Sequence, residues 1–176
     1  MKEREESAVF QKNDYVFYES GGICRISDIQ TAPLEGMPAD REYYVLQSLH
    51  DSNGVIYIPV DSDRVFLRRL LNREEAESFL NRITQVDAID EPNAKLLRTR
   101  YTECMRMHTP EEWVRVIKTV WRRTNATPQK PARISDSERG FSENAKRYLY
   151  TELSLALGIS AQEMERYIAE HIQKMA

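Results

Sequence analysis

The chain has 176 residues, 41% of them hydrophobic and 30% charged, so it can bury a core and lacks the composition of a disordered chain. The net charge of −3 is unevenly distributed: residues 1–70 carry 8 basic and 12 acidic side chains, whereas residues 95–139 carry 11 basic and 5 acidic ones. A local excess of +6 fits a polyanionic partner. An ordinary solvated helix face is the alternative.

The cysteine pattern and hydropathy exclude several protein classes. Cys24 and Cys104 stand alone, without a CxxC pair or clustered histidines, so we expect neither a metal site nor a disulfide framework. No N-terminal apolar segment is present, and no apolar run approaches the roughly 18 residues of a membrane span. We therefore expect a cytoplasmic protein with no membrane partner.

The first third of the chain has the period-two pattern of β-strands. Strands are predicted at 15–19, 23–30, 42–49 and 55–60, with a possible last one near 64–67. The turn sequence at 51–54 predicts that the third and fourth strands form a hairpin. Four or five short strands are too few for a large sandwich, so we expect a small, strongly bent barrel.

After Leu71 the pattern becomes helical. Capping-box sequences at 72–75 and 135–138 each predict a helix start, and Thr109-Pro110 predicts another. Helices are also expected over 93–107 and from Ser160 onward, and Gly158 is a suitable C-terminal stop. The prediction is an α+β chain with a β domain at 1–70 and an all-α domain of about five helices at 71–176. A long loop at 124–133 interrupts the helices.

Catalytic chemistry finds little support in the sequence. His50, His108 and His171 lie in different predicted elements, so surface or capping roles explain them best. The glutamate pairs at 74–75 and 111–112 fall in first helical turns, where they serve the helix dipole. Gly21-Gly22 leads into a strand rather than a helix, which indicates a sharp bend and not a phosphate loop. We expect no enzyme activity, no cofactor and no small-molecule substrate.

The helix from Glu111 to Arg123 predicts a surface for phosphates. Arg115, Lys118 and Arg122 share the side opposite the apolar stripe. Neighbouring helices add further basic side chains, namely Lys95, Arg98, Arg100, Arg106 and Arg139. Such a surface fits largely sequence-independent phosphate contacts.

Two stretches of the chain resemble a known family. The strings FQKNDYVFYESGGICRISDI at 10–29, YYVLQSL at 43–49 and VIYIPVD at 55–61 resemble the N-terminal module of the CarD/CdnL family of bacterial transcription regulators. That module also occurs in transcription–repair coupling factor. VIKTVWRR at 116–123 and the stretch at 134–160 are similar to the last helices of the family's C-terminal domain.

The resemblance implies a fold and a function. The N-terminal module would be a Tudor-like barrel that docks on the β subunit of RNA polymerase. The helical domain would contact promoter DNA at the upstream edge of the transcription bubble and stabilise the open complex, without catalysis.

The family's interface positions transfer unevenly to this chain. The polymerase-facing strand of the family ends at Pro59-Val60, which implies contacts from Tyr57, Ile58 and Pro59, and an apolar family contact falls on Leu34. Interface arginines of the family fall on Tyr57 and near Ala32, so this partner surface differs in charge.

In the helical domain, a family tryptophan that wedges against the bubble falls on Leu97, before the Arg100-Tyr101 pair. Leucine can serve as a wedge in DNA-bending proteins, but Leu97 also fits the core stripe of its helix. Arg139 matches a position that touches DNA in relatives. Arg98, Arg100, Lys118 and Arg122 are the remaining DNA-contact candidates.

Three other functions stay open at this point. The chain could be an adaptor on polymerase whose helical domain recruits a protein instead of DNA, a nucleic-acid binder that ignores polymerase, or an undetected enzyme. An enzyme would require a pocket that places one of the histidines beside an acid.

Overall fold

The computed structural model describes residues 10–51, 54–125 and 133–173. The chain divides into two compact units between Leu70 and Leu71. We call them the sheet unit and the helical unit. Residues 1–9, expected to fray, and most of the predicted 124–133 loop lie outside the described residues.

The sheet unit is one antiparallel sheet with strand order β4-β3-β2-β1-β5. Its strands are β1 Tyr15–Tyr18, β2 Gly22–Thr31, β3 Glu42–Ser48, β4 Val55–Pro59 and β5 Leu67–Arg69. The predicted pairing of the third and fourth strands is confirmed. No pairing between β4 and β5 closes the sheet among the described residues, so the barrel stays a prediction.

Gly21 and Gly22 form the bend between β1 and β2. Gly22 has a φ of +67°, which a residue with a side chain rarely adopts. A Cβ on Gly21 would lie 2.9 Å from the Tyr18 ring and 3.2 Å from the Cys24 sulfur. The bend predicted from the sequence is therefore present, and both glycines are needed there for separate reasons.

One core cluster of this unit lies on one face of the sheet. It consists of the buried side chains Val16, Cys24, Ile26, Tyr44, Leu46 and Ile58. Phe17, Ile23, Tyr43 and Val45, at alternate strand positions, are buried as well. A bulge interrupts the β2–β3 register between Ile26 and Asp28, and the hydroxyl of Ser27 there donates to the carbonyl of Val45 at 3.0 Å. The bulge bends the strand locally, which is consistent with a strongly curved sheet.

The described part of the helical unit contains five α-helices, α1 Arg73–Arg82, α2 Ala94–Met107, α3 Pro110–Asn125, α4 Asp136–Leu157 and α5 Ala161–Gln173, with a 3₁₀ turn at Ile83–Gln85. Both predicted capping boxes form, at Asn72/Glu75 and Ser135/Glu138. Gly158 ends α4 with a φ of +69°, as its position predicted. The α+β class and the five helices are thus confirmed.

Helix α3 lies at the centre of the helical unit. Trp113, Val116, Ile117 and Val120 are buried along it, and the Trp113 ring lies 5.5 Å from that of Tyr148 on α4. The other helices also bury apolar side chains, including Leu97, Tyr101, Leu149, Leu153, Met164 and Ile168. This central position leaves little of α3 exposed.

Candidate interaction surfaces

Strand β4 is an edge of the sheet. The N–H of Val60 donates to the carbonyl of Glu42 at 2.9 Å, and the register pairs Ile58 with Tyr44. Because hydrogen bonding alternates along an antiparallel pair, the backbone groups of Ile58 face β3, whereas those of Tyr57 face the open edge. The proline at position 59 removes a donor from this edge, which limits how far another strand could pair with it.

The four predicted polymerase-contact residues occupy different environments. Leu34 is 49% exposed, and Tyr57 and Pro59 are half-buried on the side of β4 away from the core. Ile58 is a core residue whose side chain is only 4% exposed. Side chains alternate along a strand, so the Ile58 side chain points into the core when Tyr57 points away from it. The prediction that the Ile58 side chain belongs to the contact surface is corrected accordingly.

Leu34 belongs to the segment that connects β2 to β3. The base of this segment is closed by a hydrogen bond from the Ala32 N–H to the Arg41 carbonyl at 3.4 Å. Arg41 also pairs with Asp61, two residues beyond Pro59, at 2.8 Å. The base of the segment that carries Leu34 therefore lies beside the end of the β4 edge.

Two of the predicted DNA contacts are buried. Leu97 is 2% exposed and belongs to the core stripe of α2 with Tyr101 and Cys104, which excludes it as a protruding wedge in this conformation. Lys118 is 7% exposed, and its ammonium donates to the carbonyls of Thr84, at 3.0 Å, and of Val86. The prediction that Lys118 lies on an exposed face is wrong because the 83–89 segment covers that side of α3.

Three of the predicted arginines are close in sequence to residues that meet at one corner of the helical unit. There, the end of α3 meets the start of α4 through an ion pair between Arg123 and Glu138, with 2.9 Å between Nε and Oε1. The Tyr101 ring of α2 reaches the same place, 5.6 Å from the Phe141 ring of α4. Three exposed arginines are close to these residues in sequence. Arg122 is next to Arg123, Arg139 is next to Glu138, and Arg98 is three residues before Tyr101. We call Arg98, Arg122 and Arg139 the arginine corner.

The corner arginines are available for phosphate. Arg98 and Arg122 have no ion pair within the ranges that the structure describes. Arg139 lies 3.9 Å from Asp136, whose side chain is 99% exposed. Such an exposed pair contributes little free energy and exchanges easily with a phosphate.

Arg100 belongs to a different surface. Successive residues of an α-helix advance by about 100°, so Arg98 and Arg100 point about 160° apart around α2. Arg100 pairs with Glu103 at 2.9 Å and lines a groove of about 420 Å³ between α2, α3 and residues 87–90. We call this the α2 groove; its lining consists of Asp87, Ala88, Ile89, Asp90, Arg100, Glu103, Cys104, Met107, Glu112 and Arg115.

The α2 groove has an acidic balance and no catalytic constellation. Four carboxylates and two arginines line it, and each arginine is already paired with a glutamate, at 2.9 Å for Arg100 and 3.5 Å for Arg115. Its lining contains no histidine. Burial raises the pKa of the Cys104 thiol to about 12, and a hydrogen bond with Glu112 adds to this shift, so the thiol is not a nucleophile at neutral pH.

Within the described residues, no group of three or more His, Cys, Asp or Glu side chains could hold a metal ion. The described helices also include none that is both long and apolar enough to cross a membrane. His50 and His108 lie in the sheet unit and at the end of α2, and the His171 side chain is outside the described residues.

Comparison with known proteins decides the nature of the sheet unit. Residues 10–71 match the family model of the CarD-like/TRCF RID domain, from the first described residue of the sheet unit to one residue past its boundary. The sheet unit is therefore similar to CarD-like/TRCF RID domains, which interact with the β subunit of RNA polymerase. No curated protein matches the chain.

The RID match covers all four residues assigned to the polymerase interface from sequence, and none of the DNA-contact candidates. Among the features of the helical unit that sequence reasoning missed are the α2 groove and the buried carboxylate of Glu152. The sequence contained a weak signal for the groove, because the spacing of Arg100, Glu103 and Met107 places them on one side of α2. Leu96, 53% exposed beside the buried Leu97, was also missed.

Proposed function

We propose that this protein is a non-catalytic transcription regulator that docks on the RNA polymerase β subunit through its RID domain and contacts promoter DNA with its helical unit. The observation that carries the polymerase part of the proposal is the match of residues 10–71 to the CarD-like/TRCF RID domain, and the exposed arginines of the helical unit support the DNA part. The proposed DNA contact lies at the upstream edge of the bubble, where it would stabilise the open complex.

The polymerase contact is assigned to the β4 edge and the Leu34 segment. Leu34, Tyr57 and Pro59 supply apolar surface, and the open backbone groups of Tyr57 can pair with a strand of the β subunit. Positions where relatives carry arginines hold Tyr57 and Ala32 here. The contact therefore depends on apolar burial and backbone pairing more than on charge.

The DNA contact is assigned to the arginine corner. The three helices that meet there each carry one exposed arginine within three residues of the contacts, and arginine is well suited to phosphate because its guanidinium can donate two parallel hydrogen bonds. Phosphate contacts carry no base information, so the binding would be largely independent of sequence.

The mechanism is a population shift and needs no chemical step. Docking on polymerase converts a weak DNA contact into an intramolecular one and raises its effective concentration. If the corner binds the DNA geometry of the open complex more tightly than that of the closed complex, the equilibrium shifts by that difference in affinity.

The test is an open-complex lifetime measured with bacterial RNA polymerase on a double-stranded promoter, with and without the protein. We expect the wild-type protein to lengthen the lifetime and the triple variant Arg98→Gln, Arg122→Gln, Arg139→Gln to lose the effect. Each phosphate contact adds about 0.9 to the salt slope, so the slope should fall by about 2 to 3 in the triple variant. No change in lifetime with the wild-type protein contradicts the mechanism.

Arg100→Gln is the matched control. It removes the same charge from the same helix as Arg98→Gln, but on the groove side. We expect it to leave the lifetime and the salt slope unchanged.

Docking is tested separately by capture of the β subunit, which Leu34→Asp and Tyr57→Asp should weaken without unfolding the chain.

The second candidate is an adaptor on polymerase whose helical unit recruits a protein. The burial of Leu97, which leaves no wedge at that position, and the acidic α2 groove both favour it. An adaptor predicts that the triple arginine variant behaves like wild type in the lifetime assay. It also predicts that Asp87→Asn with Asp90→Asn abolishes recruitment while β-subunit capture persists.

A further inference from the structure

A buried carboxylate holds the first residue of the helical unit. Glu152 on α4 is fully buried, and its Oε1 accepts a hydrogen bond from the backbone N–H of Leu71 at 2.9 Å. Leu71 precedes Asn72, the N-cap of α1, so the helix itself offers no partner for its N–H.

Burying a glutamate at this position costs folding free energy. Glu152 shares the inward side of α4 with Ala145, Leu149 and Leu153, all fully buried, where an apolar residue would avoid the desolvation of a carboxylate. The bond to a backbone N–H is charge-assisted and compensates part of that cost. This pairing specifies where the chain enters the helical unit, which an apolar residue could not do.

Two more contacts fix the same segment. The guanidinium of Arg73 donates to the carbonyl of Leu157 at 3.4 Å, near the end of α4. The capping box joins Asn72 and Glu75, with hydrogen bonds of 2.9 Å in both directions. Residues 71–75 are therefore held by α4 and by their own cap.

The connection between the two units is very short. Strand β5 ends at Arg69 and α1 begins at Arg73, which leaves residues 70–72, and two of these three are already bonded within the helical unit. Leu70 is the remaining residue of the connection.

We infer that Glu152 is a positioning residue. By holding Leu71, it fixes the point at which the chain enters the helical unit, so the connection between the units is a short hinge and not a flexible linker. The consequence of this anchor at Leu71 rests on the proposed function. When the RID domain is docked on polymerase, the anchor would limit the range of positions that the arginine corner can take. Releasing Leu71 would lengthen the free connection and lower the effective concentration of the DNA contact.

The first test measures the anchor in the full chain. Glu152→Leu removes the acceptor, Glu152→Gln keeps a neutral one, and Glu143→Leu is the control at an exposed glutamate of the same helix. We expect the Leu71 amide to exchange with deuterium about tenfold faster or more in Glu152→Leu, less so in Glu152→Gln, and at the wild-type rate in Glu143→Leu. An unchanged Leu71 rate in Glu152→Leu overturns the anchor.

The second test measures the hinge without polymerase. Spin labels at the exposed positions Asp40→Cys and Glu170→Cys report the distance distribution between the units. We expect Glu152→Leu to broaden this distribution and Glu143→Leu to leave it unchanged. Faster Leu71 exchange with an unbroadened distribution overturns the positioning role. If Glu152→Leu fails to fold, Glu152→Gln gives the same comparison with a smaller expected change.

The third test joins the anchor to the proposed function. Glu152→Leu should shorten the open-complex lifetime relative to the wild-type complex by about threefold or more, while β-subunit capture and polymerase-free DNA binding stay unchanged. A wild-type protein with no effect on lifetime refutes the proposed function, but the exchange and distance measurements still decide the anchor. A broadened distribution with a wild-type lifetime refutes the coupling of the hinge to DNA contact.

Discussion

The ammonium nitrogen of Lys118 lies 3.0 Å from the backbone carbonyl oxygen of Thr84, inside the helical unit. It also donates to the carbonyl of Val86, so one side chain of α3 serves two carbonyls at the end of the 3₁₀ turn. The next residue extends the contact: the Thr119 hydroxyl accepts the N–H of Ile89 at 2.8 Å. Lys118 and Thr119 thus hold the 84–89 segment against α3.

Lys118→Met should destabilise the protein by about 2 kcal/mol or more, because it removes charge-assisted hydrogen bonds and leaves two carbonyls without this donor. Urea unfolding followed by circular dichroism measures the change. Arg122→Met on the exposed side of the same helix is the control and should stay within about 0.5 kcal/mol of wild type. Equal effects of the two substitutions would contradict the buried placement of Lys118.

Both cysteines should be unreactive in the folded protein. Burial raises the pKa of the Cys24 thiol to about 11 and that of Cys104 to about 12, so almost no thiolate exists at pH 8. Titration with a chromogenic disulfide at pH 8 should show no rapid phase, and both thiols should react once urea unfolds the chain. Fast labelling of either cysteine in native conditions would refute this.

Stability should fall with alkaline pH in a way that depends on Cys24. Its pKa is raised from 9.0 to about 11, so the folded state holds the proton more tightly than the unfolded state. The contribution is complete below pH 9 and is lost as the pH rises to about 11, which amounts to roughly 3 kcal/mol. The free energy of unfolding of Cys24→Ala should therefore fall less steeply over this window than that of wild type. Parallel slopes would exclude the effect.

Replacing glycine with alanine should change the free energy of unfolding in opposite directions at one position in each unit. Gly21→Ala should destabilise by about 1 to 2 kcal/mol, because the new methyl group would contact the Tyr18 ring at 2.9 Å and the bend would have to move. Gly140→Ala on α4 meets no atom within 4 Å and should stabilise by about 0.5 to 1 kcal/mol through helix propensity. Thermal unfolding of both variants measures the difference.

Local signals explain which parts of the fold were predictable. The starts of α1 and α4 were correct because a capping box is formed by residues three apart in sequence, and Gly158 needs only its own backbone conformation. The last strand was displaced, from the predicted 64–67 to Leu67–Arg69, because its position depends on pairing with β1, about fifty residues earlier in the chain.

Tertiary neighbours explain what sequence missed in the candidate surfaces. The amphipathic pattern of α3 predicted one covered side, but the 83–89 segment covers a second side and buries Lys118. Ile58 was misplaced for a simpler reason, since a match to a contiguous family motif ignored the alternation of the strand. Arg98 and Arg100 were grouped by proximity in sequence, although helical geometry separates them.

Because α2 presents Arg98 on one side and the groove-lining Arg100 on the other, the helix divides the surface of this unit into two areas that do not compete for space. Under the proposed function, a nucleic acid at the corner and a protein in the groove would occupy different sides of the same helix. A single 14-residue helix would then let one small unit take part in two assemblies simultaneously.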